Sequence, residues 1–265
     1  MPEREPVIDI HTHPMLDGEP IFGDPHPPEA YLERCRELSL RHAVALVMAP
    51  RDNLPGTREM NDKVLGLQRS SGGRFLAFCS VHPLDGEAAL TELTRVSGLG
   101  ARGIKLHPNT QSFDVGDPTV ELVVRRAAEL RLPVLFDAYS PFDPAQPGKF
   151  VRLAMAVPEA RIVLAHALGA RFPELVVFGV LARYPWWRRQ VWVDVSAMAE
   201  VYARSPLSAS FAWHLRQVGV DRLLWGSDWP LGDPVQSLDS LETLGFDGGE
   251  RRAIAHDNAA KLMGL

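Results

Sequence analysis

The chain has 265 residues, of which 46% are hydrophobic and 23% charged, and its formal net charge is −5. This composition is typical of a globular protein and excludes a largely disordered chain. An acidic balance without a basic run argues against nucleic acid or an anionic membrane as partner, and it favours a small-molecule substrate. Two distant cysteines predict neither a disulfide framework nor a cysteine zinc site. No apolar run approaches the roughly 18 residues of a membrane span, so we expect a cytoplasmic protein.

Eight short apolar segments rich in β-branched or aromatic residues predict eight strands. They lie at residues 7–10, 43–48, 75–81, 101–106, 133–136, 161–165, 191–195 and 222–225. Helical periodicity follows most of them, at residues 29–40, 58–69, 87–96, 119–130 and 172–184, and again in a terminal stretch at 250–263. This order predicts an α/β fold, a (β/α)8 TIM barrel with an extra C-terminal helix, forming one domain over residues 1–265. The alternative is an open doubly wound sheet, but the sequence lacks the glycine-rich phosphate fingerprint that such a fold has after its first strand.

The first predicted strand ends in the pair His11 and His13, just before Pro14. Side chains two residues apart on a strand project from the same face, so the two imidazoles can converge. Two neutral imidazoles at a strand end favour a divalent metal ion, although they could instead only cap a turn. Asp9 has the same predicted facing, one layer deeper, and is expected to orient a ligand imidazole.

In a (β/α)8 barrel, the carboxyl ends of all strands open on one face, which is where active sites lie. Nearly every predicted strand brings a polar residue there: His11, His13, Arg51, His82, Lys105, His107, Asp137, His166, Ser196 and Asp228. Barrel closure places the eighth strand beside the first, so Asp228 is expected next to the histidine pair as a ligand rather than as a turn cap. His166 is interpreted as catalytic, with a core histidine as the alternative.

The remaining candidates at this rim are less specific. A buried Lys105 would need a substrate anion or a carboxylate partner. His82 and His107 could equally be surface residues. No functional role is predicted for the other four histidines, which are His26, His42, His214 and His256. The loops at residues 16–28 and 138–149 are expected to shape the substrate pocket, but they contain no motif that identifies the substrate.

Five motifs together resemble the amidohydrolase superfamily, specifically the amidohydrolase-2 branch that includes aminocarboxymuconate-semialdehyde decarboxylase. They are IDIHTHP at 8–14, GIKLHP at 103–108, VLAH at 163–166, LWGSDWP at 224–230 and DNAAKL at 257–262. The resemblance implies a divalent ion, usually zinc, on His11, His13 and Asp228, with His166 near the reacting group. It also implies a histidine ligand after the fifth strand, a position at which this sequence has Asp137.

An aspartate at that position changes the expected metal site. A carboxylate oxygen binds zinc at ~2.0–2.2 Å, close to the imidazole distance, so Asp137 is predicted as a ligand. A second carboxylate would make the site formally neutral, weaken the activation of water and favour harder ions. We therefore predict one divalent ion, with zinc first and manganese as the alternative. A second ion bridged by a carboxylated Lys105 is the less favoured arrangement.

The predicted activity is metal-dependent hydrolysis of a small amide, lactone or ester. Asp228 would transfer the proton of the water, and His166 would stabilise the oxyanion or act as an acid. The predicted substrate contacts are Arg51 and Lys105, for a substrate carboxylate, together with His107, Tyr139 and Trp229. Non-oxidative decarboxylation of a small aromatic or muconate-type acid is one alternative, and a barrel that only binds a ligand is another. Residues 184–187 suggest a patch for homo-oligomerisation, or rings that pack on neighbouring helices.

Overall fold

The computed structural model describes residues 5–17 and 25–265, so residues 18–24 of the predicted pocket loop lie outside this description. Eight parallel strands form one sheet in the order of the sequence. They are β1 (Pro6–Thr12), β2 (Ser39–Leu46), β3 (Phe75–Ser80), β4 (Gly103–Leu106), β5 (Val134–Phe136), β6 (Ile162–Leu164), β7 (Val191–Asp194) and β8 (Leu223–Leu224). Parallel neighbours need a crossover connection of about a dozen residues or more, usually a helix on the outer face of the sheet.

Backbone hydrogen bonds join β1 to the chain that follows β8. The amide of Ile10 donates to the Trp225 carbonyl at 3.1 Å, and the amide of His13 donates to the Trp229 carbonyl at 2.7 Å. The amide of Asp228 donates in turn to the His11 carbonyl at 2.8 Å. These bonds bring the eighth strand against the first, so the sheet forms a nearly closed TIM barrel, as predicted.

Helices lie between the strands and after the last one. They are α1 (Pro28–Arg34), α2 (Leu54–Ser70), α3 (Glu87–Gly98), α4 (Pro118–Glu129), α5 (Gln146–Ala156), α6 (Val176–Leu181), α7 (Met198–Ala203), α8 (Ser208–Val218), α9 (Pro234–Thr243), α10 (Gly248–Arg252) and α11 (Asn258–Met263). A π-helical turn, Ala253–Asp257, joins α10 to α11. Within the described ranges, no helix combines the length and the apolar character that crossing a membrane requires.

Two apolar clusters build the core. One fills the space between strands and helices, and the other consists mainly of residues that point into the barrel, such as Ile8, Ile10 and Phe78. Leu262 and Met263 of α11 belong to this second cluster. The predicted extra C-terminal helix is therefore present, and it packs against the barrel interior. The carboxyl ends of the strands remain open for the site.

Two predicted helices differ from the observed elements. The helix predicted at 29–40 ends at Arg34, because Ser39 begins β2 by pairing with Pro6 of β1. The helix predicted at 172–184 is a 3-10 segment up to Leu175, and α6 covers only Val176–Leu181. Pro173 and the irregular turn before it disfavour a regular α-helix there.

The aromatic residues at 184–187 are predicted either to form an exposed patch for self-association or to pack on neighbouring helices, and the structure shows both exposed and buried rings among them. The Trp187 ring is buried and stacks on Phe178 with ring centroids 6.2 Å apart. Tyr184 and Trp186 remain about half exposed on the outer surface of the barrel.

Candidate metal centre and active site

Three potential metal ligands converge at the mouth of the barrel. The Nε2 atoms of His11 and His13 lie 3.2 Å apart. Asp228 Oδ1 lies 3.5 Å from His11 Nε2 and 3.7 Å from His13 Nε2. Among the residues that the structure describes, these three form a group whose potential ligand atoms all lie within 4.8 Å of one another, close enough to bind a single ion. Barrel closure has thus brought Asp228 to the histidine pair.

The spacing of these three atoms fits a divalent ion. Zinc binds nitrogen and oxygen ligands at ~2.0–2.2 Å with tetrahedral geometry, which places neighbouring ligand atoms about 3.3–3.6 Å apart. The observed separations of 3.2, 3.5 and 3.7 Å surround that value. The spacing of His11, His13 and Asp228 is therefore compatible with three corners of one coordination polyhedron.

An irregularity in β1 aims His11 into the barrel. Asp9 pairs with Ala43 of β2, whereas Thr12 pairs with Ala45, so three steps along β1 match two along β2. A bulge of this kind breaks the alternation of side chains and re-aims the residues within it. Asp9 and His11 therefore do not share a face, although two residues separate them.

Asp9 consequently has a different role from the predicted one. Its Oδ1 accepts hydrogen bonds from the backbone amides of His11 at 3.0 Å and Ser227 at 2.9 Å. Its Oδ2 accepts one from the hydroxyl of Tyr31 on α1 at 2.8 Å. Burial raises the pKa of Asp9 to about 7. The prediction that Asp9 orients an imidazole is wrong: Asp9 holds together the backbones that carry His11 and Asp228.

Asp194, at the end of β7, orients the imidazole instead. Its Oδ2 lies 2.6 Å from His11 Nδ1, and both side chains are 0% exposed. When Nδ1 donates its proton to this carboxylate, the lone pair of Nε2 is left facing the centre. Burial, followed by the charge of Lys105, lowers the pKa of His11, which keeps the ring neutral and able to bind a metal. Sequence reasoning missed Asp194, although a single carboxylate in the apolar strand VWVDV was a usable signal.

An unusual backbone turn positions His166. Residues 166–169 all have positive φ, with values of 59°, 46°, 63° and 57°. Left-handed conformations cost roughly 1–2 kcal/mol for each residue other than glycine. The last of the four is Gly169, where a Cβ would lie only 2.5 Å from the Tyr139 ring. The turn places the His166 ring 4.8 Å from the His11 ring, measured between centroids.

Asp137 faces two histidines rather than joining the three-residue group. Its Oδ2 lies 3.4 Å from His166 Nε2 and 3.5 Å from His107 Nε2. Burial alone would lower the pKa of His166, but the hydrogen bond to Asp137 and the surrounding carboxylates raise it to about 9. Burial opposes ionisation of Asp137 as well, yet the hydrogen bond and charge of His166, together with His107 and Lys105, hold its pKa well below the usual range. The contacts therefore describe an ion pair, and a ligand role for Asp137 stays a prediction.

Lys105 enters the same space from β4. Its side chain is almost fully buried, and its Nζ lies 3.3 Å from His11 Nε2. Burial lowers the pKa of Lys105, while the charges of Asp137, Asp228 and Asp194 oppose that effect. The predicted arrangement with a carboxylated Lys105 and a second ion stays a prediction.

The buried charges of the site favour a further cation. Burial raises the pKa of Asp194 and of Asp228 and lowers that of Lys105, so it opposes the ionisation of all three. With every group ionised, the carboxylates of Asp137, Asp194 and Asp228 meet two cationic groups, Lys105 and His166. One negative charge is then uncompensated, and deprotonation of Lys105 would increase this excess. Buried charges are normally paired or coordinate metals, so the electrostatics agree with the geometry.

Two predicted substrate residues make contacts outside this cluster. The Arg51 side chain is 57% exposed, and its Nε lies 3.3 Å from Asp52 Oδ2. The Trp229 ring meets Tyr31 of α1 edge-on, with centroids 6.0 Å apart. Their proposed substrate contacts stay predictions, as do those of Tyr139 and His107, which lie at the rim.

Gln111 ties the loops around the site together. Its Nε2 donates to the carbonyls of Ala49 at 2.9 Å and Val81 at 3.0 Å, and its Oε1 accepts from the amide of His107 at 2.8 Å. The His82 ring contacts the Gln111 carbonyl at 2.6 Å, which indicates a structural role for that histidine. Sequence reasoning missed Gln111, because no local pattern distinguishes it from a surface glutamine.

Comparisons with known proteins agree with the fold and with the motifs. Residues 8–265 match the model of the amidohydrolase-2 family, described as Amidohydrolase. The search of curated proteins finds no match.

Several solved structures share the barrel. A 2,6-dihydroxybenzoate decarboxylase from Rhizobium is 17% identical, with a TM-score of 0.74 and 99% of each chain covered. A protein described as a 2-pyrone-4,6-dicarboxylic acid hydrolase from Pseudomonas putida is 22% identical, with a TM-score of 0.70 and 97% of each chain covered. A 5-carboxyvanillate decarboxylase from Novosphingobium aromaticivorans, with bound manganese, is 17% identical with a TM-score of 0.68, and covers 88% of this chain and 80% of its own. At these identities the structures support the fold, whereas the family model covers nearly the whole sequence. The chain belongs to the amidohydrolase-2 family and is an enzyme of the amidohydrolase type.

Proposed function

We propose that the enzyme hydrolyses a small amide, lactone or ester with one divalent cation held by His11, His13 and Asp228. The observation that carries this proposal is the convergence of three ligand atoms 3.2–3.7 Å apart. A bound cation would polarise the scissile carbonyl and lower the pKa of water at the site. Two imidazoles and one carboxylate are a common zinc donor set in hydrolases, so zinc is proposed first. Manganese is the alternative, and the 5-carboxyvanillate decarboxylase has bound manganese.

Asp228 is proposed as the base. Its carboxylate is nearly buried, and its Oδ1 lies 3.5 Å from His11 Nε2 and 3.7 Å from His13 Nε2. In the reaction, Asp228 would accept a proton from the attacking water and then donate it to the leaving group. Both transfers need a carboxylate beside the scissile bond rather than at the surface.

His166 is proposed to stabilise the negative oxygen that develops on the substrate. The ion pair with Asp137 supports a protonated ring, which can donate a hydrogen bond. Donors fixed in advance at such a position contribute strongly to acyl transfer. We propose Asp137 as the counter-ion that keeps His166 charged, which the contacts support better than a role as a fourth ligand.

Lys105 is proposed to contact the substrate. Its ammonium now donates toward His11 Nε2, and a cation on that nitrogen would occupy the lone pair. A buried ammonium that loses its acceptor needs another one. A carboxylate or carbonyl oxygen of the substrate would supply it, which supports a substrate that carries an acid group.

A second candidate function, decarboxylation, is favoured by the two cationic groups at the rim. Lys105 could hold a carboxylate that leaves as CO2, while His166 gives a proton to the carbon from which it departs. The carbon–carbon bond breaks, and its electron pair takes that proton. Similarity to the dihydroxybenzoate decarboxylase is the further support for this reading.

One experiment separates the two reactions. Enzyme loaded with zinc or manganese is incubated with 2-pyrone-4,6-dicarboxylate and with 2,6-dihydroxybenzoate, and with small esters and amides of carboxylic acids. Acid released from the lactone and the esters is followed with a pH indicator, amine released from the amides with an amine-reactive dye, and CO2 with a coupled assay. Release of acid or amine without CO2 supports hydrolysis, and the reverse selects decarboxylation. His13→Ala should lower either turnover at least about 100-fold, and full activity in that variant would contradict the proposal.

A further inference from the structure

A cavity of about 390 Å³ opens beside His13, between the loop after β1 and the start of α2. We call it the side pocket, and we define it by residues from three parts of the chain: Pro14, Met15, Val47, Met48 and Met60. Its volume lies within the usual range of ligand pockets, about 300–1,000 Å³. The function proposed above does not use this cavity.

The side pocket adjoins the proposed metal centre at His13. His13 lines the pocket, and its Nε2 belongs to the three-atom ligand group. The His13 side chain is 14% exposed, whereas that of His11 is fully buried. A molecule bound at His13 would therefore lie directly beside the pocket.

The walls of the side pocket suit an apolar group. Three of the five defining residues are methionines, whose flexible and polarisable side chains adapt to groups of different shape. Leu16, Leu46 and Pro50 add further apolar lining, whereas the ionisable side chains on the lining are those of His13, His26, Asp17, Glu59 and Lys63. A charged group placed against the methionines would lose its hydration without compensation.

The charges at the rim also argue against an anion. Lys63 is the one lysine or arginine among the described residues that line the cavity. It forms ion pairs with Asp17 and, at 2.6 Å, with Glu59. Two carboxylates thus surround the single ammonium, so an incoming carboxylate would meet a net negative rim.

We propose that the side pocket binds an uncharged apolar group of the substrate, an aryl or branched alkyl substituent, next to the bond that reacts. A water molecule occupies ~30 Å³, so the cavity has room for about a dozen non-hydrogen atoms of that size. This inference rests on the proposed metal centre, because His13 connects the two. It separates the substrate into an acidic or carbonyl end near Lys105 and an apolar end in the side pocket.

Hydroxamates of increasing length test the proposal, because each carries the same metal-binding group. Binding of acetohydroxamate, butyrohydroxamate and hexanohydroxamate to the zinc-loaded enzyme is measured by titration calorimetry. Each methylene that enters the pocket should tighten binding about fourfold. Met60→Trp should fill the cavity and abolish this dependence while acetohydroxamate binds as before. The matched control is Met155→Trp on α5, where the methionine is half exposed, and it should behave as the wild type.

A second variant keeps the test independent of how Met60→Trp folds. Met48→Lys places a cation in the side pocket, so it should weaken hexanohydroxamate and tighten the monohydroxamate of succinic acid. Equal affinities across the wild-type series, or a length dependence that survives both variants, would overturn the assignment while leaving the metal centre intact. Failure of every hydroxamate to bind the loaded wild type would overturn both the assignment and the proposed centre.

Discussion

The hydrogen bond between Asp194 and His11 is the support of the proposed centre that is most open to measurement. Asp194→Asn keeps the shape of the side chain but removes its charge, and its amide group can donate toward His11 Nδ1. The imidazole would then carry its proton on Nε2, the atom that faces the centre. The native contact is 2.6 Å long between two fully buried groups, so water cannot replace it. Removal of such a partner typically lowers metal affinity 10–100-fold, which corresponds to about 1.4–2.7 kcal/mol.

The affinity is measured by competition for zinc with a chromophoric chelator. Asp52→Asn provides a matched control, because its side chain is 79% exposed and lies outside the cluster. Asp194→Asn should bind zinc close to 100-fold more weakly than the wild type, because it changes both the charge beside His11 and the tautomer of its ring. The control should match the wild type. Identical affinities in all three proteins would refute the role assigned to Asp194 in orienting His11.

Three further changes address the surroundings of the site. Gln111→Ala should lower the free energy of unfolding by about 2–4 kcal/mol, because three backbone groups lose a buried partner. Urea denaturation should show this loss, whereas Gln217→Ala on α8, whose side-chain hydrogen bond is exposed, should show none. Gly226→Ala would place a Cβ 2.7 Å from His11 Cβ and displace that histidine. Zinc affinity should therefore fall about tenfold or more in the same competition assay. An unchanged affinity would show that the segment after β8 moves aside without displacing His11. Asp137→Asn should retain the metal but lose about 100-fold in turnover, because His166 loses its counter-charge, and loss of the metal instead would identify Asp137 as a ligand.

The main architecture could be predicted from sequence because it depends on repeated local patterns. Apolar segments alternating with helical periodicity specify parallel strands and crossover helices, and eight such units close into a barrel. Closure then places Asp228 beside His11 and His13 without any further information. The site was predictable as far as barrel topology determines it.

The features that escaped prediction depend on pairing between distant segments. The bulge in β1 arises from its register with β2, so strict alternation assigned Asp9 to the wrong face. The left-handed turn at residues 166–169 has three residues other than glycine with positive φ, which no propensity favours. Asp194 and Gln111 act through contacts with chain segments far away in sequence. The lone carboxylate in an apolar strand marks Asp194 as unusual but does not identify His11 as its partner, and the local sequence of Gln111 resembles that of an ordinary loop.

The metal content of the purified protein tests the central claim most directly. Elemental analysis is applied to wild type, His11→Ala, Asp228→Ala and the control His214→Ala, a residue on α8 outside the barrel mouth, all purified without chelator and dialysed against zinc. We expect about one equivalent of metal in the wild type and the control, and almost none in the two ligand variants. Equal metal content in all four proteins would contradict a metal centre built on His11, His13 and Asp228.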